Sequence, residues 1–167
     1  MVVPAGTIFT GSSLPEGKRH LYFAALLLCL AGLLGITSTG DLFNVFVFVE
    51  ITSLSSYTLI SLGQGRRALR AAFSYLVLGT IGGTFFLIGV GLLYQATGTL
   101  NLADLASQLE QFLAAGEGLC GVMVAFAFLV VGIGIKLAIF PLHQWLPNAY
   151  TYAPAKVSAF LAATAAA

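Results

Sequence analysis

Four apolar runs of bilayer length limit what this chain can fold into: residues 21–39, 42–62, 71–94 and 119–141 carry almost no charge. A hydrocarbon core about 30 Å thick takes about 20 helical residues to cross, and each run reaches that length. None shows the roughly ten-residue alternating segments of a membrane β-barrel. Charged residues make up only 8% of the 167 and mean hydropathy is +0.98, whereas soluble domains hold roughly 25% charged residues. The expected fold is therefore an all-α, multi-span transmembrane helical bundle of about four complete spans. A fifth apolar segment begins near Pro154 and ends at Ala167, too short to span.

Residues 1–20, MVVPAGTIFTGSSLPEGKRH, read as an extramembrane lead-in. They lack the basic stretch, apolar core and small-residue cleavage site of a signal peptide. Residues 21–167 then form a single transmembrane domain. Lys18 and Arg19 precede the first run, and Arg66, Arg67 and Arg70 follow the second. Two crossings separate these groups, so they share one side, which the positive-inside rule makes cytoplasmic. The implied location is the cell (inner) membrane, multi-pass, with the Arg66–Arg70 loop and the His143 region cytoplasmic. On the opposite side NLADLASQLEQF spaces Leu102, Leu105, Leu109 and Phe112 as one face of a short amphipathic surface helix.

Several function classes drop out. The net charge is +1 and the bases sit at span ends without forming a patch, so nucleic acid is not an expected partner. Cys29 and Cys120 have no ligand-like spacing and read as packing residues, with no metal implied. Gly79, Gly82, Gly83, Gly89 and Gly91 stud the third run without a following Lys-Ser/Thr signature, which favours close helix packing over a phosphate loop. No nucleophile–base set or dinucleotide fingerprint is present, so no cofactor is expected and any redox chemistry belongs to partner chains.

Two charges interrupt the apolar runs. Glu50 lies in DLFNVFVFVEITSLSSYTLI and Lys136 in VMVAFAFLVVGIGIKLAIFPLH. An ionised side chain at bilayer depth costs at least about 2.5 to 3.5 kcal/mol on insertion scales, so such residues face a partner, water or an ion path. Pro141 lacks an N–H for the carbonyl one turn back, which implies a break or kink one turn after Lys136. Broken helices at membrane depth need protein or a water-filled cavity to satisfy the freed groups, so Lys136 is expected beside a wet site. At about 4 Å and an effective dielectric near 20, a Glu50–Lys136 pair would gain about 4 kcal/mol. A shift of the partner or an inserted water removes most of that and lets Lys136 release its proton. A static ion pair that merely fixes helix packing is the structural alternative.

His143 reads either as a proton relay between Lys136 and cytoplasmic water or as an interfacial imidazole capping the broken helix. Lys156 reads as a cytoplasmic anchor or a transport residue. Asp41 and Asn44 read as capping groups, and Ser53, Ser55 and Ser56 either hydrate the path or bond their own backbone.

The segments GDLFNVFVFVEITSLSSYTLI and GIGIKLAIFPLHQWLPNAYTYAPAKVSAFLAA resemble the antiporter-like subunits of respiratory complex I, membrane-bound hydrogenases and multisubunit Mrp sodium/proton antiporters. In that family an acid on one helix and a lysine on a broken helix, followed by PLHxWLPxAxxxAP, form the proton-handling unit of an inverted repeat of five helices. The resemblance gives the acid's role to Glu50, the lysine's to Lys136 and that of the motif histidine to His143. The DLFNVFVFVE wording leans toward the Mrp D-type and hydrogenase-type subunits. The resemblance implies translocation of protons, with sodium/proton exchange or a non-transporting scaffold role as alternatives. The implied partners are other membrane subunits, in some family members those of an oxidoreductase complex. Among them is a chain supplying the second repeat, because family members continue past the point where this sequence stops.

Overall fold

The computed structural model describes residues 18–63, 65–116 and 119–165. Residues 1–17, most of the expected lead-in, lie outside the described residues, as do residues 166–167 at the end of the last apolar segment. Among the described residues seven helices follow in order: α1 Arg19–Ser38, α2 Leu42–Ser61, α3 Arg66–Thr97, α4 Leu102–Ala115, α5 Leu119–Lys136, α6 Trp145–Tyr152 and α7 Ala155–Ala165. α1, α2, α3 and α5 are each long and apolar enough to cross a membrane. The expected all-α bundle of four spans is what the chain forms.

α3 is the hub, packed against α2, α5 and α6. Its glycines permit that. A Cβ on Gly132 of α5 would stand 2.6 Å from the Phe86 nitrogen and 2.8 Å from the Gly82 carbonyl oxygen, so α3 and α5 approach almost backbone to backbone. Lipid supplies no hydrophobic drive between helices, and such close approach replaces it with van der Waals contact.

The two ends of the bundle differ in charge. At one end the Asp41 carboxylate caps α2 by accepting from Asn44 N at 2.9 Å, and Asn101 caps α4 by accepting from Ala103 N at 3.0 Å. Backbone bonds from Leu42 N to the Leu100 oxygen and from Leu102 N to the Gly40 oxygen, both 2.8 Å, join the two turns. Asp41, Asp104 and Glu110 lie at this end, with the amphipathic α4. Leu105 of α4 is buried with Leu93 and Ala125, the small core of that end. At the other end lie Lys18, Arg19, Arg66, Arg67, Arg70 and Lys156, around a larger core that brings Tyr22 and Cys29 of α1 against Ile60, Ala72, Trp145 and Val157.

The fourth crossing is where the structure departs from the sequence reading. α5 stops at Lys136 and does not run on toward Pro141. Ala138, with φ at +52°, takes the left-handed conformation; Ala138 N donates to the Ile135 oxygen at 3.3 Å and Ile139 N to the Gly134 oxygen at 2.9 Å. This paired reversal is a Schellman termination, which satisfies carbonyls that a helix end would otherwise orphan. The proline lies in the connecting stretch, already outside the helix. Because the Lys136 end of α5 meets Glu50, the ninth residue of the 20 in α2, α5 ends part-way along the bundle. The chain then continues through residues 137–144 into the short α6, which joins the base-rich core. Trp145 ties the pieces together, its indole N–H donating to the Ile135 oxygen at 2.9 Å.

Candidate functional site: a half-buried ion pair at a helix break

Glu50 and Lys136, 86 residues apart in sequence, meet. Lys136 Nζ stands 2.7 Å from Glu50 Oε1, with the lysine side chain 11% and the glutamate side chain 25% exposed. Nζ also donates to Ser53 Oγ at 3.2 Å. The ammonium therefore lies between a carboxylate and a hydroxyl of the same helix. Glu50, Ser53 and Tyr57 follow at i, i+3 and i+7, one stripe of α2 facing α3 and the break.

Two glycines of α3 receive that stripe. A side chain on Gly83 would collide with the Glu50 carboxylate, and one on Gly79 with the Tyr57 hydroxyl. Tyr57 meets Tyr75 edge-on with ring centroids 4.5 Å apart, and Tyr75 stacks on Trp145 at 3.8 Å. The aromatic column thus runs from the α2 stripe to the residue that braces the break.

The surroundings differ along the bundle. One turn before Glu50, Phe46 stacks on Phe86 of α3 with centroids 6.0 Å apart, an apolar cover on the side of the acidic end. In the other direction Lys136 lines a cavity of about 330 Å³, together with Thr52, Ser56, Tyr150, Thr164 and the residues of the break. Its hydroxyls give water the two to four polar partners that a buried water needs.

The other expected residues fall as follows. Ser55 Oγ donates to the Ile51 oxygen at 2.7 Å and Ser56 Oγ to the Thr52 oxygen at 2.8 Å, so both bond their own helix, and of the three serines only Ser53 reaches Lys136. His143 lies on the break with its ring 5.7 Å from that of Phe140. Its Nδ1 is buried and unpartnered among the described residues, and no hydrogen bond there joins it to Lys136. The group that opens α6 is the His143 backbone oxygen, which accepts from Leu146 N at 3.0 Å. Lys156 Nζ is enclosed and unpartnered among the described residues, unlike an anchor reaching for water, because Val157 and Phe160 draw α7 into the core. Cys29 is buried, whereas Cys120 is exposed. Ser53, Tyr57 and Gly83 were the residues least visible in sequence; the spacing of the first two at three and seven residues from Glu50 was the available signal.

A family model described as NADH:quinone oxidoreductase/Mrp antiporter, transmembrane, matches residues 39–167, the segment that holds both members of the pair. The chain belongs to this family. It is 53% identical over 162 residues to NADH-quinone oxidoreductase subunit N of Desulforudis audaxviator, covering 97% of this chain and 31% of that protein. It is 41% identical over 147 residues to the D-type subunit of the Na(+)/H(+) antiporter of Bacillus subtilis, covering 87% and 29%. Both branches of the family are thus represented, and the 53% match does not follow the lean of DLFNVFVFVE toward the D-type. Among solved structures, a chain of the membrane-bound sulfane sulfur reductase, an archaeal respiratory membrane complex, superposes with a TM-score of 0.84 at 38% identity over 98% of this chain and 32% of its own length. A chain of the Mrp complex from Dietzia sp. DQ12-45-1b gives 0.70 at 37% identity, over 82% and 25%. The chain spans about a third of the length of the curated relatives it matches. It is a membrane-spanning member of a family whose relatives work within multisubunit membrane complexes.

Proposed function

We propose that residues 21–167 form one transmembrane domain that carries the proton-handling site of an antiporter-like subunit, with Glu50 and Lys136 as the working pair. The observation that carries this reading is the 2.7 Å contact between the two charges at the end of a broken helix. Glu50 holds the ammonium when the two are close. Separation by a few ångströms, or entry of a water from the 330 Å³ cavity, weakens the attraction and frees the Lys136 proton. Ser53 keeps one acceptor on Nζ throughout and so guides its direction. The Phe46–Phe86 stack blocks return toward the acidic end, while the hydroxyl-lined cavity leads toward the base-rich end, which is the cytoplasmic one. His143, in the stretch that follows the break, does not line the cavity itself and takes the role of the next proton acceptor beyond it. A charge moved across the membrane couples to the potential at about 2.3 kcal/mol per 100 mV.

The subunit works with other membrane subunits, one of which, or a further part of the same polypeptide, supplies the second repeat. Redox chemistry, where the parent complex has it, lies in those partners. Sodium/proton exchange is a second reading, supported by the Na(+)/H(+) antiporter relative. Glu50→Gln and Lys136→Ala, each in the assembled complex in sealed vesicles, are expected to bring proton flux to background. Flux at the wild-type level in both would overturn the reading in favour of a scaffold role, and sodium dependence of the wild-type flux separates exchange from pumping.

A further inference from the structure

A second pocket, remote from the ion pair, lies between α3 and α6 at the base-rich end. It encloses about 340 Å³ and is lined by Arg67, Arg70 and Ser74 of α3 and Asn148 and Tyr152 of α6. The spacing explains the convergence: 67, 70 and 74 share one face of α3, and 148 and 152 share one face of α6. The Arg67 guanidinium lies 6.0 Å from the centre of the Tyr152 ring, which holds it at the rim. Neither arginine has an ion-pair partner among the described residues, and the described acids other than Glu50 lie at the opposite end of the bundle.

We propose that this pocket binds the phosphate diester of an anionic phospholipid. Two guanidinium groups offer the forked donors that match phosphate oxygens, and Ser74 and Asn148 add neutral donors beside them. Basic pockets between transmembrane helices at an interface suit such headgroups. An apolar stripe beside the arginines on α3 favours a lipid over free phosphate. There Leu69, Phe73 and Val77 stand exposed, running from the arginine level toward the middle of the bundle, where acyl chains of a lipid held at Arg67 and Arg70 would lie. Bound there, the lipid would bridge α3 to α6 and so steady the segment that follows the helix break.

The test uses the assembled, detergent-purified complex and native mass spectrometry with titrated phosphatidylglycerol, phosphatidylcholine and inorganic phosphate. Phosphatidylglycerol is expected to bind in preference to phosphatidylcholine. Arg67→Gln combined with Arg70→Gln is expected to weaken that binding by about 30-fold, and the two Lys substitutions to retain most of it. Three results overturn the proposal: equal phosphatidylglycerol binding by wild type and the Gln variant, displacement of the lipid by inorganic phosphate at equal concentration, or loss of a protein subunit from the Gln variant without any change in lipid. Proton flux through the Glu50–Lys136 site is a separate readout, so failure here leaves the proposed function untouched.

Discussion

Lys136 has the Glu50 carboxylate as its ion-pair partner and the Ser53 hydroxyl as its hydrogen-bond acceptor, and the two make different demands on it. The carboxylate supplies charge, and the hydroxyl supplies direction. Ser53→Ala should therefore lower proton flux, since a hydrogen bond to a charged group contributes about 1.5 to 3 kcal/mol. Ser55→Ala, which removes only a bond to its own helix, should leave flux near wild type; equal losses in the two variants would argue against a special place for Ser53. Gly83→Ala puts a methyl against the carboxylate, so flux should fall while the complex still assembles. Gly91→Ala faces open space and serves as the neutral control. Glu50 and Lys136 were legible in sequence because an unpaired charge in an apolar run is too costly to be idle. Ser53 was not separable from Ser55 and Ser56, since all three are serines on one helix and only its register against α3 and α5 distinguishes them.

At the scale of elements, the break after α5 is made by backbone geometry at Ala138 and braced by Trp145. Alanine gives no sequence signal for a positive φ, whereas proline announces itself, so the sequence located the interruption but put its cause at Pro141. Left-handed backbone disfavours any residue with a Cβ, by about 1 to 2 kcal/mol. Ala138→Gly should accordingly raise the thermal stability of the purified complex, and Ala138→Val should lower it; the opposite order would mean that Ala138 is not left-handed in the assembled protein. Trp145→Phe keeps an aromatic face for Tyr75 but removes the N–H that serves the Ile135 oxygen. A loss of about 0.5 to 1.5 kcal/mol in stability is expected from the lost hydrogen bond, since Ala138 N still serves the Ile135 oxygen. The Tyr75–Trp145 stack itself was invisible beforehand, because a contact across 70 residues leaves no local periodicity.

Over the whole molecule, six of the seven Lys and Arg residues lie at one end and the three described acids outside the ion pair at the other. Hydropathy alone was enough to locate the four spans, since backbone groups in lipid have little choice but helix, though it set the end of the fourth too far along at Pro141. The charge division gives the orientation a direct check. Single cysteines at Arg66 and Asp104 should label from opposite sides of sealed cells, Arg66→Cys only after the cytoplasmic face is opened; labelling from one side would reverse or flatten the topology. The central claim is that the half-buried Glu50 carboxylate and Lys136 ammonium act as one unit in moving protons. Its most direct test is a cycle of flux measurements on wild type, Glu50→Gln, Lys136→Met and the double variant, in the same assembled complex and vesicles. Residues that act together show grossly non-additive losses. Each single variant and the double variant should lie at the same background flux, whereas residual flux in a single variant that falls further in the double one, or a single variant with wild-type flux, would contradict the claim.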